Sequence, residues 1–306
     1  MKKEVEVIPK TAPSIKKQKN WTRFLSNNML LTGFFIILFM TLYALFAPLL
    51  STFGPYEIDP KNRLQPPSGV HIFGTDNFGR DLFSRVLYGT RVSIIVGAVV
   101  AIVSGLIGLV IGLLSAYYFV LDHILMRIVD GLYAFPSILL AMAIVALRGP
   151  SIFNVMLALI IVYIPSIARV VRSSALVVKE QTFIEALKAQ GANKWRILVI
   201  HTIPNILSPV IIQITFVFAV AILTEASLSF LGAGIPAPEP SLGNILFDGK
   251  SVIYNAWWMT VFPGAFIVLL VFGLNLAGDG LRDLMDPKIV HTKRKKYRKN
   301  RELKKG

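Results

Sequence analysis

The sequence contains no cysteine, so neither a disulfide framework nor a thiolate-ligated metal site is available to it. Its four histidines, His71, His123, His201 and His291, are scattered, and no metal cluster is visible in their spacing. Charged residues make up only 16%, against 54% hydrophobic residues and a mean hydropathy of +0.63, a mixture that one water-soluble core could not hide. Acids are also few, 17 against 32 Lys and Arg, for a net charge of +15. Taken alone that charge would suit a nucleic-acid partner. The basic residues, however, crowd into the two ends and one internal loop, where they can sit against anionic headgroups. A nucleotide-binding loop is missing too. The string DGKSV at 248–252 resembles the end of one, but the required earlier glycine would fall at position 244, which is Asn, and Gly243 is one residue too far. No internal repeat is evident, and no soluble catalytic domain remains once the apolar runs are set aside.

What the chain does have is long uncharged runs, and a bilayer core of ~30 Å needs about 20 apolar residues in a helix. Six are found, at roughly 29–50, 92–118, 124–147, 149–168, 206–231 and 258–278. They predict an all-α polytopic membrane protein with short hairpins around the third run, whose first turns carry Arg127 and Asp130. The first run follows a long polar stretch and spans 22 residues without a charge, which reads as a retained span and not as a cleaved signal. With the amino terminus inside, 25 of the 32 basic residues fall on the cytoplasmic face, so both termini are expected there. The resulting division is a cytoplasmic segment 1–28, a first span 29–50, an extracellular loop 51–91, a five-helix core 92–281 containing a cytoplasmic loop 172–205, and a basic tail 282–306. The end of that tail, 292–306, has almost nothing to bury and is expected to be disordered or to lie on lipid. Proline- and glycine-rich outer segments at 51–75 and 232–256 predict ordered loops without long helices. Gly97, Gly105, Gly108 and Gly112 in the second span allow close helix packing.

The loop between the fourth and fifth spans is too polar to cross a membrane and too patterned to be slack. Thr182 followed by Glu185 fits a capping box, and Gly191 supplies the left-handed residue that ends a helix, so a short helix is predicted over 183–190. Phe183, Ile184 and Leu187 would share one side of it as an apolar knob. A second helical stretch, with Trp195, Ile197, Leu198 and Ile200, opens near Asn193 and runs to Pro204, where the next span begins. The whole reads as a rigid lever. A cytosolic helix of this kind fits a groove on another protein, or it lies on the lipid surface, and physical chemistry alone leaves both open.

At these residues the sequence resembles the permeases of binding-protein-dependent ABC importers. Their E-A-A motif is matched by Glu185, Ala186, Gly191 and Pro204 at the family spacing. Two departures are Leu187 in the third motif position and HTIP before the proline, the latter in keeping with the peptide-type subgroup. Further segments, HIFGTDNFGRD, RIVDGLYAFPSILLA, EASLSFLGAGIP and GDGLRDLMDPK, are similar to that subgroup's C-type subunits in family order. The resemblance implies a type I importer transmembrane domain, MetI-like with an added amino-terminal span, in a prokaryotic cell membrane. It further implies a homologous second permease, two ATPase subunits that bind ATP and Mg, an extracellular substrate-binding protein, and no cofactor on this chain. In that scheme the helix around Thr182, Phe183, Glu185, Ala186 and Leu187 sits in an ATPase cleft and transmits its closure to the spans.

Other candidate residues stand apart from that loop. Glu225 lies inside the fifth span, where a carboxylate costs roughly 2.5–3.5 kcal/mol on insertion scales unless it is paired or wetted. It is expected either to line a path or to make structural hydrogen bonds. Arg127 and Asp130, one helical turn apart, are expected to offset one another or to gate. Asp76, Arg80 and Asp81 are expected to contact a binding protein or to brace the loop against a second permease. No catalytic residue is assigned. Peptides are the expected cargo, with nickel, metal chelates or glutathione as alternatives. A stand-alone secondary transporter using Glu225 is the competing class.

Overall fold

The computed structural model describes residues 27–285, so the expected amino-terminal segment and most of the basic tail lie outside the described residues. Besides single turns at Ala47–Leu50 and Pro60–Asn62, the helices are α1 (Asn28–Leu45), α2 (Leu82–Tyr117), α3 (Phe119–Tyr133), α4 (Ser137–Arg148), α5 (Ile152–Lys179), α6 (Thr182–Ala189), α7 (Lys194–Phe230), α8 (Leu242–Lys250) and α9 (Trp258–Met285). Among the described residues there is no strand, only an isolated bridge between Thr75 and Asp81.

Five helices, α1, α2, α5, α7 and α9, are long and apolar enough to cross a membrane. The pair α3 and α4 makes a sixth crossing if its two halves count as one span. That pair bends by 93°, so the straight third span expected over 124–147 is corrected to two half-helices. The cause is Pro136. It has no N–H to give and disfavours helical geometry at Phe135 before it.

Two other boundaries move. The second span starts at Leu82, ten residues before the expected start, because the Asp81 carboxylate accepts from Ser84 N at 2.8 Å and caps the helix there. At about 1.5 Å per residue α2 is therefore about 54 Å long, well beyond a bilayer core. The fourth span likewise continues to Lys179 instead of ending near 168.

α2 packs most extensively on α5 and also along α7. Gly108 and Gly112 let the α5 backbone approach: a Cβ at Gly112 would stand 2.6 Å from the Ala168 carbonyl oxygen. In lipid such close fit takes over from the hydrophobic effect as the source of helix association. α1 joins the bundle along α9 in the same manner, with Asn27 Nδ2 donating to the Gly280 carbonyl at 3.1 Å. The outward faces carry Phe35, Phe39, Leu106 and Val268, each at least 60% exposed and each suited to hydrocarbon.

Candidate functional site

The connection between α5 and α7 builds the first site. α6 begins at Thr182, one turn after α5 ends, and its N-cap is Gln181, whose side chain makes no capping bond. The expected Thr182 and Glu185 capping box is therefore absent. Thr182 is already the first helical residue, and the Gln181 carbonyl takes the Ile184 and Glu185 amides. The end of the helix follows expectation. Gly191 has φ +79°, its N–H donates to Lys188 O at 3.0 Å and Ala192 N–H donates to Leu187 O at 3.0 Å, the paired bonds of a Schellman motif. Two residues later the Asn193 carboxamide oxygen accepts from Trp195 N and starts α7.

The predicted apolar knob is divided. Ile184 is fully buried against the first turns of α7, where Ile197 and Leu198 are also buried, while Leu187 is half-buried. Phe183, Glu185 and Ala186 stay outside, and Trp195 of α7 is exposed as well. So Ile184 keys the short helix to the long one, and its other side is free to meet a partner. From Lys194 the helix continues to Phe230, with a π-helical turn at Ile197–Thr202 just before Pro204. That wide turn is where the helix accommodates the missing proline amide. The corner is also tied to the end of α2. Lys179 Nζ donates to Ala116 O at 2.7 Å, and the Tyr117 and Thr202 hydroxyls bond to each other.

A second feature escaped the sequence reading. At mid-span, where α3 breaks into α4, a cleft of about 360 Å³ opens between these half-helices, α5 and α7. Tyr133, Phe135, Ser137, Ser166, Gln213 and Phe216 are among its walls, and no charged residue lines it. Pro136 and Gln213 within otherwise apolar runs were the signals for it.

Arg127 and Asp130 do not offset one another. Asp130 pairs with Arg169 at 2.8 Å across to α5, and Arg172 holds Asp122 with two bonds of 2.6 Å, whereas Arg127 has no ion pair among the described residues. Spacing on one helix was outweighed by cations on the neighbour. Arg169 also stacks over the Tyr133 ring at 4.0 Å.

Glu225 is fully buried and accepts from Ser93 of α2 at 3.1 Å, Ser229 at 2.9 Å and Ser241 at 2.7 Å. It therefore sits at a junction of helices and faces no cleft.

Asp76, Arg80 and Asp81, expected to contact a binding protein or to brace the loop against a second permease, are at most 5% exposed and brace the loop from within. Asp76 accepts from Arg80 Nε at 2.6 Å and Asp81 pairs with His71 at 2.9 Å. Arg80 also reaches Asp248 of α8 at 3.7 Å. Burial raises the Asp248 carboxyl above its usual 3.8, opposed by Arg80 and Arg85. The DGKSV string lies at the end of α8, not in a phosphate loop. Among the described residues no group of His, Asp or Glu could hold a metal.

Fold and site together define a multi-pass membrane protein with a keyed helix at one end. Residues 108–291 match the binding-protein-dependent transport system inner membrane component, and residues 18–67 match the N-terminal domain of oligopeptide transport permease C. The chain belongs to this family of ABC importer permeases. It is 47% identical to the dipeptide transport system permease protein DppC of Alkalihalophilus pseudofirmus over 86% of this chain and 87% of that one. It is 46% identical to a putative peptide transport system permease of Brucella suis, over 84% and 87%. A glutathione transport system permease of Pectobacterium atrosepticum is 41% identical over 88% and 90%. Among solved structures, the inward-facing MetNI methionine ABC transporter shares the fold at a TM-score of 0.56 and 22% identity, over 66% of this chain and 97% of that one.

Proposed function

We propose that the chain is one of two permeases that form a peptide path, driven by two ATPase subunits and fed by an extracellular binding protein. The observation that carries this reading is α6, exposed on one side, keyed through Ile184 on the other, and joined to the 37-residue helix α7. In this account α6 faces the cytoplasm and rests in an ATPase cleft. Closure of the ATPase pair around ATP and Mg pushes α6, and the bonds from Lys179 and Thr202 carry α2, α5 and α7 with it. The permease itself binds no cofactor and hydrolyses nothing. The distribution of basic residues supports an inside position for both termini.

A second permease is supported by polarity. The Asp130 and Arg169 side chains remain 57% and 40% exposed on the described bundle, beside exposed Arg127 and Ser173. Such groups do not face hydrocarbon, so this side meets protein, a wet path or the cytoplasmic headgroup layer. Peptide cargo draws support from the dipeptide and peptide permeases among the relatives; glutathione is the alternative that the Pectobacterium relative favours.

The test is reconstitution in liposomes. Uptake that needs ATP, both permeases, the ATPases and the loaded binding protein is expected. Ion-gradient-driven peptide flux through this purified chain alone would contradict the reading.

A further inference from the structure

The mid-span cleft combines three properties. It is polar without charge: Gln213, Tyr133, Ser137 and Ser166 supply amide and hydroxyl groups, and none of its lining residues is Asp, Glu, Lys, Arg or His. Its polar groups are largely unused, since the Gln213 amide and the Tyr133 and Ser137 hydroxyls make no hydrogen bond among the described residues. And it lies along the long apolar helices, with Gln213 near the middle of α7 and Ser166 near the middle of α5, beside the break at Pro136. An amide without a partner among apolar walls is unfavourable unless water or a ligand satisfies it.

We infer that this cleft is a station for the main-chain amides of a peptide in transit, a reading that rests on the proposed peptide path. A carboxamide presents one acceptor oxygen and two N–H donors, the complement of a peptide C=O and N–H, while Phe135 and Phe216 provide apolar walls that accept side chains of any kind. Such a site holds the backbone and ignores sequence. It does not suit a free transition-metal ion such as nickel, which favours imidazole, thiolate or carboxylate ligands that the lining lacks.

The experiment uses the assembled transporter in liposomes, with an alanine-rich tripeptide as probe. Gln213→Leu keeps the size and removes the amide; maximal uptake should fall roughly two- to tenfold, the range of one neutral hydrogen bond, and the ATP hydrolysed per peptide should rise. Gln213→Asn, which retains an amide, should recover part of the loss. Because the chain has no cysteine, Gln213→Cys gives a single thiol on it. An impermeant thiol reagent should label this position and the probe peptide should slow labelling, whereas Leu106→Cys on the outer apolar face should stay unlabelled. A parent complex that imports no peptide overturns the cargo reading and the station with it. A parent complex that imports peptide, combined with Gln213→Leu at parental uptake or with an unlabelled Gln213→Cys, overturns the station alone. Labelling that peptide does not slow also overturns it.

Discussion

The Ser241 hydroxyl donates to Oε1 of Glu225 at 2.7 Å, and because that same hydroxyl accepts the Gly243 amide, its one proton is committed to the carboxylate. Ser229 is fixed in the same way by the Ile235 amide. Glu225 thus joins the outer end of α7 to the cap of α8, and through Ser93 to α2. Removing it should leave three buried hydroxyls without an acceptor, at about 1–3 kcal/mol each before relaxation. Glu225→Ala is expected to lower the apparent Tm of the assembled transporter by several degrees, and Glu225→Gln, which keeps an oxygen toward Ser229 and Ser241, by clearly less. Equal losses in the two variants would refute a clasp.

Gly191 ends α6 with φ +79° and has nothing within 4 Å of a Cβ built on it. The cost of a side chain there is consequently backbone strain alone, about 1–2 kcal/mol for alanine. Gly191→Ala should loosen α6, seen as faster amide exchange over residues 182–190, while Asn, tolerant of the left-handed region, should do so less. Protection unchanged in the alanine variant would contradict the Schellman account.

A double-mutant cycle separates the polar pairs. Asp130→Asn and Arg169→Gln should couple by about 0.2–1 kcal/mol, the range for exposed pairs, and Arg127→Gln should add independently to Asp130→Asn. Coupling between 127 and 130 would restore the same-helix pairing that the sequence favoured.

Asp248 gives a pH dependence with a definite sign. Its carboxyl is raised above 3.8 by burial, so in the window just above that value the folded state holds more protons than the unfolded one, and stability falls as pH rises through it. Asp248→Asn should flatten that fall. A steeper decline in the variant would mean that Arg80 and Arg85, and not burial, dominate.

The sequence made the architecture legible where one strong local signal acted alone. Uncharged runs located the spans, and Gly191 and Asn193 marked the end of one helix and the start of the next. It failed where neighbours decide. Nothing local says that Ile184 faces inward while Phe183 faces out, because the start of α7 selects between them. Asp76, Arg80 and Asp81 looked like surface groups in a hydrophilic loop, yet they satisfy one another inside it. Asp130 was assigned to Arg127 by spacing, and Arg169 lies on another helix. The start of α2 was legible in retrospect, since Asp81 stands three residues before Ser84, whose amide it caps. Pro136 was visible throughout, but an unbroken apolar run outweighed it.

The central claim is that this chain receives force through α6 and has no drive of its own. The most direct measurement is ATP-dependent peptide uptake by the assembled transporter carrying Glu185→Arg together with Gly191→Pro, whose ring fixes φ near −65° where the fold needs +79°. Loss of uptake with loss of ATPase subunits from the purified complex is the predicted result. Normal uptake with the ATPases still bound would contradict the account.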